Sequence, residues 1–151
     1  MTKNEMLAYT AGFWDGEGTF TLTKYTRESG AYYYPYVVVS NTDEDVLNTL
    51  AEFILSLGIN CKVYTKYRNN EPDKHKQRYS LNICGQENML MFCELITPFL
   101  VVKRLHARFL AAFIRLRTAS KFTDTGMYDT EMKTFVDALH ELNKRGVDIM
   151  S

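Results

Sequence analysis

Paired cysteines, long apolar runs and net charge are all missing from this sequence. The three cysteines, at positions 61, 84 and 93, fit neither a disulfide framework nor paired metal-ligand spacing, and predict buried thiols in a reducing, intracellular compartment. A prokaryotic cytoplasm and an organelle matrix both remain open. No apolar run approaches the roughly 20 residues of a bilayer-spanning helix, and no signal-peptide pattern opens the chain. The sequence therefore predicts a single domain over residues 1–151, with no membrane partner.

The 18 basic and 18 acidic residues cancel, which by itself argues against a nucleic-acid partner. Their distribution argues the other way. Six basic and two acidic residues lie between Lys62 and Arg78, and six basic and no acidic residues lie between Lys103 and Lys121. Segregated basic segments can form one positive face on a neutral chain. Without further signals, two solvated charged surfaces would explain them equally well.

The spacing of apolar residues divides the chain into alternating helical and strand segments. Their order is helix, two strands, helix, two strands and further helices, which predicts an α+β fold. Pro35 lies inside the second strand and indicates an edge position or a bulge. The first helix covers residues 4–14, and the strands cover residues 19–27, 32–40, 61–68 and 78–84.

Three of the predicted strands carry apolar residues at one parity and polar, cationic or aromatic residues at the other. A surface of Thr, Tyr, Lys, Arg and Asn offers phosphate contacts together with hydrogen bonds to base edges. Tyr32, Tyr33 and Tyr34 are more typical of strand packing than of base contact. The predicted nucleic-acid contacts are Thr21, Thr23, Tyr25, Arg27, Lys62, Tyr64, Lys66, Arg68, Arg78, Ser80 and Asn82.

Small residues occupy one side of the first helix, which then runs into two closely spaced glycines. Ala8 and Gly12 are four residues apart, so a second backbone could approach them closely, and together with Ala11 they form the predicted dimer interface. The helix leaves Glu17 at its end, beside any partner packed on the same face. A carboxylate in that position is costly unless something binds it.

The nonamer TAGFWDGEG at residues 10–18 resembles the LAGLIDADG motif of the homing endonucleases. Ala11, Gly12, Asp15 and Gly18 match the motif, and Glu17 stands where the family has its final acid. The resemblance implies the αββαββα fold with C-terminal helices and a saddle-shaped, four-stranded antiparallel sheet. The chain has one copy of the motif, which in this family implies a homodimer.

The resemblance also implies an activity: an intron-encoded, magnesium-dependent DNA endonuclease that cuts a long, near-palindromic site and leaves short 3′ overhangs. Glu17 and the Gly16 carbonyl would hold Mg²⁺, or another divalent cation such as Mn²⁺. Lys103 falls where related enzymes have a lysine near the scissile phosphate. Thr42 is the nearest match to a water-organising polar residue, although Asn41 is also close and helix capping alone would explain either.

Two further residues near these positions have simpler interpretations. Asp15 is expected to be structural, at the end of the first helix, and His106 is expected to be a surface residue. Two other functions stay open. A non-cleaving protein of the same fold could be an intron maturase, with RNA as partner, or a transcriptional regulator, and a purely structural dimer would use the helix only to associate. The acid at position 17 favours the enzyme.

Overall fold

The computed structural model describes residues 1–28, 30–66, 77–120 and 130–145. The predicted strand residue Arg68, most of the loop before Arg78, the link at residues 123–127 and the helix end at Gly146 lie outside the described residues. The elements are α1 Lys3–Glu17, β1 Gly18–Arg27, β2 Gly30–Asn41, α2 Glu44–Ser56, β3 Cys61–Lys66, β4 Arg78–Ile83, α3 Gln86–Ile96, a 3₁₀ turn Thr97–Phe99, α4 Arg104–Ser120 and α5 Thr130–Arg145.

The four strands form one antiparallel sheet in the order β1-β2-β4-β3. The predicted α+β class and element order are confirmed, with α1 three residues longer at its end than its pattern indicated. β2 pairs with β4 only from Val38 to Asn41, so the part of β2 around Pro35 pairs on the β1 side alone. A proline, which has no N–H to donate, fits this open edge.

The register of β2 assigns its valines to the two faces of the sheet. Val37 pairs with Phe20 and Val39 with Leu81, and all four side chains are buried on the face that packs against the helices. Val38 therefore points to the opposite, open face. Three consecutive valines conceal this alternation in the sequence, because each is equally apolar.

The centre of the core joins α1, β1 and α3 through aromatic rings. The Trp14 ring lies 4.8 Å from the Phe92 ring, and the Phe92 ring lies 6.5 Å from that of Phe20. Gly18 follows α1 directly, where a Cβ would lie 2.3 Å from Cδ1 of Trp14. A glycine is required here because the indole already fills the space that a side chain would need.

Helix α5 covers the free edge of β1. The His140 ring lies 3.0 Å from the Leu22 carbonyl oxygen, and the Asn143 amide donates to the Phe20 carbonyl at 3.0 Å. Side chains of α5 thus satisfy edge carbonyls that would otherwise be open to pairing with another strand. This contact also brings the C-terminal helix close to the turn after α1.

Burial agrees with the prediction for two of the three cysteines. Cys61 and Cys93 are buried, Cys84 is half-buried, and all three are free thiols. Burial raises the pKa of the Cys61 thiol to about 11, and it also raises the pKa of Cys93. Both thiols therefore behave as small apolar groups. In the described part of the chain, no helix is both long and apolar enough to cross a bilayer.

Candidate functional site

Glu17 is the last residue of α1, and its carboxylate is exposed. The side-chain amide of Asn41 donates to Glu17 Oε2 at 2.7 Å, and Asn41 Oδ1 accepts the Asp43 N–H at 2.8 Å. Asn41 is therefore fixed at both ends between α1 and the start of α2. Among the described residues, no donor contacts Glu17 Oε1, which leaves one carboxylate oxygen available to a ligand.

A polar cavity of about 310 Å³ adjoins this carboxylate on the side of β2 and β4. Thr42 lines the cavity, but it does not cap α2, since Asp43 Oδ1 accepts the Val46 N–H at 3.2 Å. Arg78, predicted only as a nucleic-acid contact, also lines it. The structure therefore brings Thr42 and Arg78 beside Glu17, while Asn41 is the residue that bonds to it.

A second cavity, of about 350 Å³, lies at the junction of α1 and β1. Its lining includes Gly16 at the end of α1 and Gly18 at the start of β1, with Lys103, His106 and Asn143 from the helical layer. Glu17 thus lines a polar cavity bounded by the sheet, and its neighbours Gly16 and Gly18 line a second cavity bounded by α4 and α5.

Asp15 ties the end of α1 to the segment that starts α4. Its carboxylate accepts the backbone N–H groups of Val101 at 2.8 Å, Val102 at 3.1 Å and Lys103 at 2.9 Å. These donors precede α4, where N–H groups have no partner within the helix. The expected structural role of Asp15 is confirmed, and its consequence is that Lys103 is fixed next to the motif.

The Lys103 side chain folds back onto the end of α1. Its ammonium donates to the Trp14 carbonyl at 3.2 Å and to the Gly18 carbonyl. Both acceptors lie at the negative end of the α1 dipole, which favours a cation there. Burial lowers the pKa of Lys103, and the neighbouring Asp15 carboxylate opposes that shift. The ammonium is therefore held beside the end of α1 rather than extended into solvent.

The expectation that His106 is a surface residue is wrong. Its side chain is 2% exposed, and it lies on the buried face of α4 with Leu110 and Phe113. Burial lowers the pKa of His106, a hydrogen bond to the Leu142 backbone raises it, and the nearby Lys103 lowers it. His106 lies four residues before Leu110 and seven before Phe113, and this helical spacing could have indicated its burial from the sequence.

The predicted contact residues of the sheet share its open face. Cross-strand pairs place Thr21 opposite Tyr36, Thr23 opposite Tyr34, and Lys62 opposite Asn82. On this face Thr23, Lys62, Tyr64 and Arg78 are exposed, and Thr21, Tyr25 and Asn82 are half-buried. Arg27 and Lys66 belong to β1 and β3, but their side chains, like all of Arg68, lie outside the described residues.

The structure contradicts one predicted contact and exposes two further aromatic residues on the same face. Ser80 lies on the open face but is only 3% exposed, so it has almost no surface to offer a ligand. Tyr34 and Tyr36 are 42% and 36% exposed on that face. Tyr32, stacked on Tyr25 with ring centroids 5.6 Å apart, is buried, and Tyr33 is half-buried against the core, so both pack as predicted for strand residues.

The charged residues of the four strands all have the same sign. None of the four strands contains an acidic residue, and the Lys62 ammonium lies 5.1 Å from the centroid of the Tyr64 ring. The basic residues between Lys103 and Lys121 do not add their full charge to this face, because α4 belongs to the helical layer and Arg115 pairs with Glu94 at 3.0 Å. Arg117 is the exception, since it donates to the Tyr33 carbonyl at 3.0 Å.

The comparison with known families decides the classification. Residues 4–97 match the LAGLIDADG-like domain. The chain belongs to the LAGLIDADG family. The predicted membership is therefore confirmed, on a match that begins with α1 and ends after α3.

Solved structures of LAGLIDADG homing endonucleases have the same fold. I-CvuI, solved with the I-CreI target and 2 mM Mg, is 18% identical, with a TM-score of 0.71 over 93% of this chain and 83% of that one. I-TnaI is 17% identical, with a TM-score of 0.61 over 100% and 99%. I-CeuI, a group I intron-encoded enzyme complexed with DNA, is 16% identical, with a TM-score of 0.67 over 89% and 66%. At these identities the likeness concerns the fold alone.

A sequence relative comes from Methanocaldococcus jannaschii. This uncharacterized protein is 33% identical over 64 residues, which are 42% of the LAGLIDADG chain described here and 23% of the relative. The match therefore spans under a quarter of that protein's length.

The motif helix of this LAGLIDADG chain exposes only part of its predicted dimer interface. Ala8 and Gly12 are exposed, but Ala11 is fully buried in the protomer's own core, so its assignment to the interface is wrong. A Cβ added at Gly12 or at Gly16, one turn further on, would meet nothing within 4 Å. The exposed stripe is therefore Ala8, Gly12 and Gly16.

The oxygen ligands at the motif suit a divalent cation only in part. Among the described residues, no three His, Cys, Asp or Glu side chains cluster as a metal site. Glu17 offers a free carboxylate oxygen, and the Gly16 carbonyl lies in the last turn of α1, where carbonyls have no partner further along the helix. Mg²⁺ accepts one or two carboxylates and completes its shell with water and phosphate. The Glu17 carboxylate and the Gly16 carbonyl therefore fit Mg²⁺ as two of its oxygen ligands, with the remaining ligands supplied from outside these two residues.

Proposed function

We propose that this chain is a site-specific double-strand DNA endonuclease, which cuts a long, near-palindromic site as a homodimer with Mg²⁺ or another divalent cation. The observation that carries the proposal is the position of Glu17. Its exposed carboxylate lines a polar cavity next to an open sheet face whose strands contain no acid, and the adjacent residues Gly16 and Gly18 line a second cavity. A surface that only bound phosphates would be weakened by a carboxylate there, because like charges repel.

The open sheet face is the proposed DNA surface. β1 has 10 residues and spans about 33 Å, which corresponds to roughly ten base pairs of duplex for each protomer. Lysine and arginine would supply salt-dependent affinity, and Thr, Tyr and Asn would contact base edges in the major groove. The proposed contacts are Thr21, Thr23, Tyr25, Arg27, Tyr34, Tyr36, Lys62, Tyr64, Lys66, Arg68, Arg78 and Asn82.

Homodimerisation through α1 would complete the cleavage site. Two α1 helices that pack at Ala8 and Gly12 would bring two Glu17 side chains to the two-fold axis. Glu17 and the Gly16 carbonyl would hold the divalent cation, which supplies an activated water and stabilises charge on the phosphate. Asn41 would keep the carboxylate oriented through its bond to Oε2. Two such centres, one for each strand, account for a staggered cut with short 3′ overhangs.

Two other residues take supporting roles in the proposal. Lys103 would stabilise negative charge near the scissile phosphate with the part of its ammonium that α1 does not engage. Thr42, in the cavity next to Glu17, would organise water there. Both roles rest on positions beside the proposed metal ligands.

A non-cleaving nucleic-acid-binding protein of the same fold, such as a maturase or a transcriptional regulator, is the second candidate. The exposed tyrosines at positions 34, 36 and 64 favour it, because aromatic rings can stack on the unpaired bases of RNA. The Lys103 ammonium, already bonded to two carbonyls, is also less available to a phosphate.

Cleavage of a randomised plasmid library with Mg²⁺ or Mn²⁺ separates the two candidates. We expect the parent to cut a defined subset, and Glu17→Gln to cut that subset at least about 100-fold more slowly while still binding it in Ca²⁺. Glu52→Gln is the matched control, because it removes an exposed carboxylate from α2. If Glu17→Gln cuts at the parental rate, Glu17 is not part of the catalytic centre. If the parent binds DNA without cutting it, the second candidate function is supported.

A further inference from the structure

His106 is a buried polar side chain whose hydrogen bonding is incomplete. It is 2% exposed, and Nδ1 has no hydrogen-bond partner among the described protein atoms. The other side of the ring bonds to the backbone of Leu142, whose carbonyl oxygen can only accept a ring N–H. Because Nδ1 has no partner, Nε2 carries that proton, and Nδ1 of the neutral ring is an acceptor.

The cavity that His106 lines can supply the missing donor. Its volume of about 350 Å³ exceeds the roughly 30 Å³ that one water occupies in the liquid. Lys103 lines the same cavity, and its ammonium has three protons, of which two are used by the Trp14 and Gly18 carbonyls. A water that donates to His106 Nδ1 and accepts the third Lys103 proton would satisfy both groups. Buried polar groups are normally paired, so an unpaired acceptor here favours an ordered water.

We infer that His106 is a positioning residue, which anchors an ordered water through Nδ1 and thereby holds the Lys103 ammonium beside the last turn of α1, which carries Gly16 and Glu17. Leu142 fixes the ring, so the inferred chain runs from α5 through His106 and the water to Lys103. Asp15 and Lys103 are the charged groups that line this cavity, and Asn143 lines it as a neutral donor. The effect on DNA cleavage rests on the proposed function, whereas the water and the lysine can be tested without it.

The first test is a crystal structure of the protein without DNA at a resolution that shows ordered water. We expect water within hydrogen-bond distance of both His106 Nδ1 and Lys103 Nζ. A protein donor bonded to Nδ1, or no water in contact with it, would overturn the inference. This result does not depend on whether the protein cuts DNA.

The second test compares two variants at position 106. His106→Phe fills the space without an acceptor, and His106→Asn presents an amide oxygen near the position of Nδ1. We expect Lys103 to be acylated several-fold faster by a small amine reagent in the Phe variant, and near the parental rate in the Asn variant. If His106 had a purely structural role, Lys103 would be acylated at the same rate in both variants. Thermal unfolding of each variant shows whether it is folded, and if the Phe variant is not, His106→Leu replaces it.

The third measurement connects the inference to catalysis. With a cleaved site in hand, the single-turnover cutting rate of His106→Phe should fall about tenfold, with DNA affinity unchanged and the rate recovered in His106→Asn. Equal rates in parent and Phe variant would refute a role for His106 in holding Lys103. A parent that does not cut would refute the proposed function alone, because the water and the acylation rates are measured without DNA.

Discussion

Removal of the Asp15 carboxylate is expected to loosen the junction between α1 and α4. One side chain accepts three backbone N–H groups, at 2.8, 3.1 and 2.9 Å. A hydrogen bond to a charged group contributes about 1.5–3 kcal/mol, and a single capping side chain about 0.5–2 kcal/mol. Val101 is 56% exposed, so water can reach part of this cluster, which lowers the contribution of each bond towards 1 kcal/mol.

We therefore expect Asp15→Ala to lower the free energy of unfolding by about 3 kcal/mol, which for a chain of this size lowers Tm by about 6–12 °C. Asp15→Asn keeps one carbonyl oxygen and should lose about half as much. Urea unfolding followed by circular dichroism measures both. Asp137→Ala is the control, because Asp137 is exposed on α5 and should change stability by less than about 0.5 kcal/mol.

The refuting result is an Asp15→Ala variant as stable as Asp137→Ala. Hydrogen bonds from water would then stabilise the three N–H groups as much as those from the Asp15 carboxylate, and Asp15 would not hold the start of α4. An Asn variant as unstable as the Ala variant would instead indicate that the charge, rather than the acceptor geometry, stabilises the junction.

Two further predictions concern the glycines of α1 and of the turn. Gly18→Ala should lower the free energy of unfolding by about 2 kcal/mol or more, because the new Cβ would overlap the Trp14 side chain. Gly16→Ala meets open space and should lower it by less than about 0.5 kcal/mol. Equal denaturation midpoints for the two variants would contradict this explanation. Gly12→Leu should leave the protomer folded but lower the sedimentation mass from two chains to one, while Asn48→Leu on α2 keeps the mass of the parent. A Gly12→Leu variant that still dimerises would exclude α1 as the interface.

Much of the site was predicted because it depends on residues close in the chain. The pattern indicated a first helix that leads into Glu17, although it extends three residues further than predicted, and strand alternation assigned Thr21, Thr23 and Lys62 to one face. Asp15 was expected to be structural. These features follow from local geometry, since a helix repeats every 3.6 residues and a strand every two.

Residues from distant elements decided the rest. Ala11 and Ser80 lie on the expected sides of their own elements, yet packing buries both, and His106 is buried where α5 covers α4. Arg78 reaches the cavity at Glu17 because β4 pairs beside β2. The sequence by itself determined the element order, the family and the face on which most polar side chains lie. Only the tertiary structure decided which of these side chains stay exposed and which meet at Glu17. Burial depends on the element that packs against a residue, whereas sequence periodicity describes only the element that contains the residue.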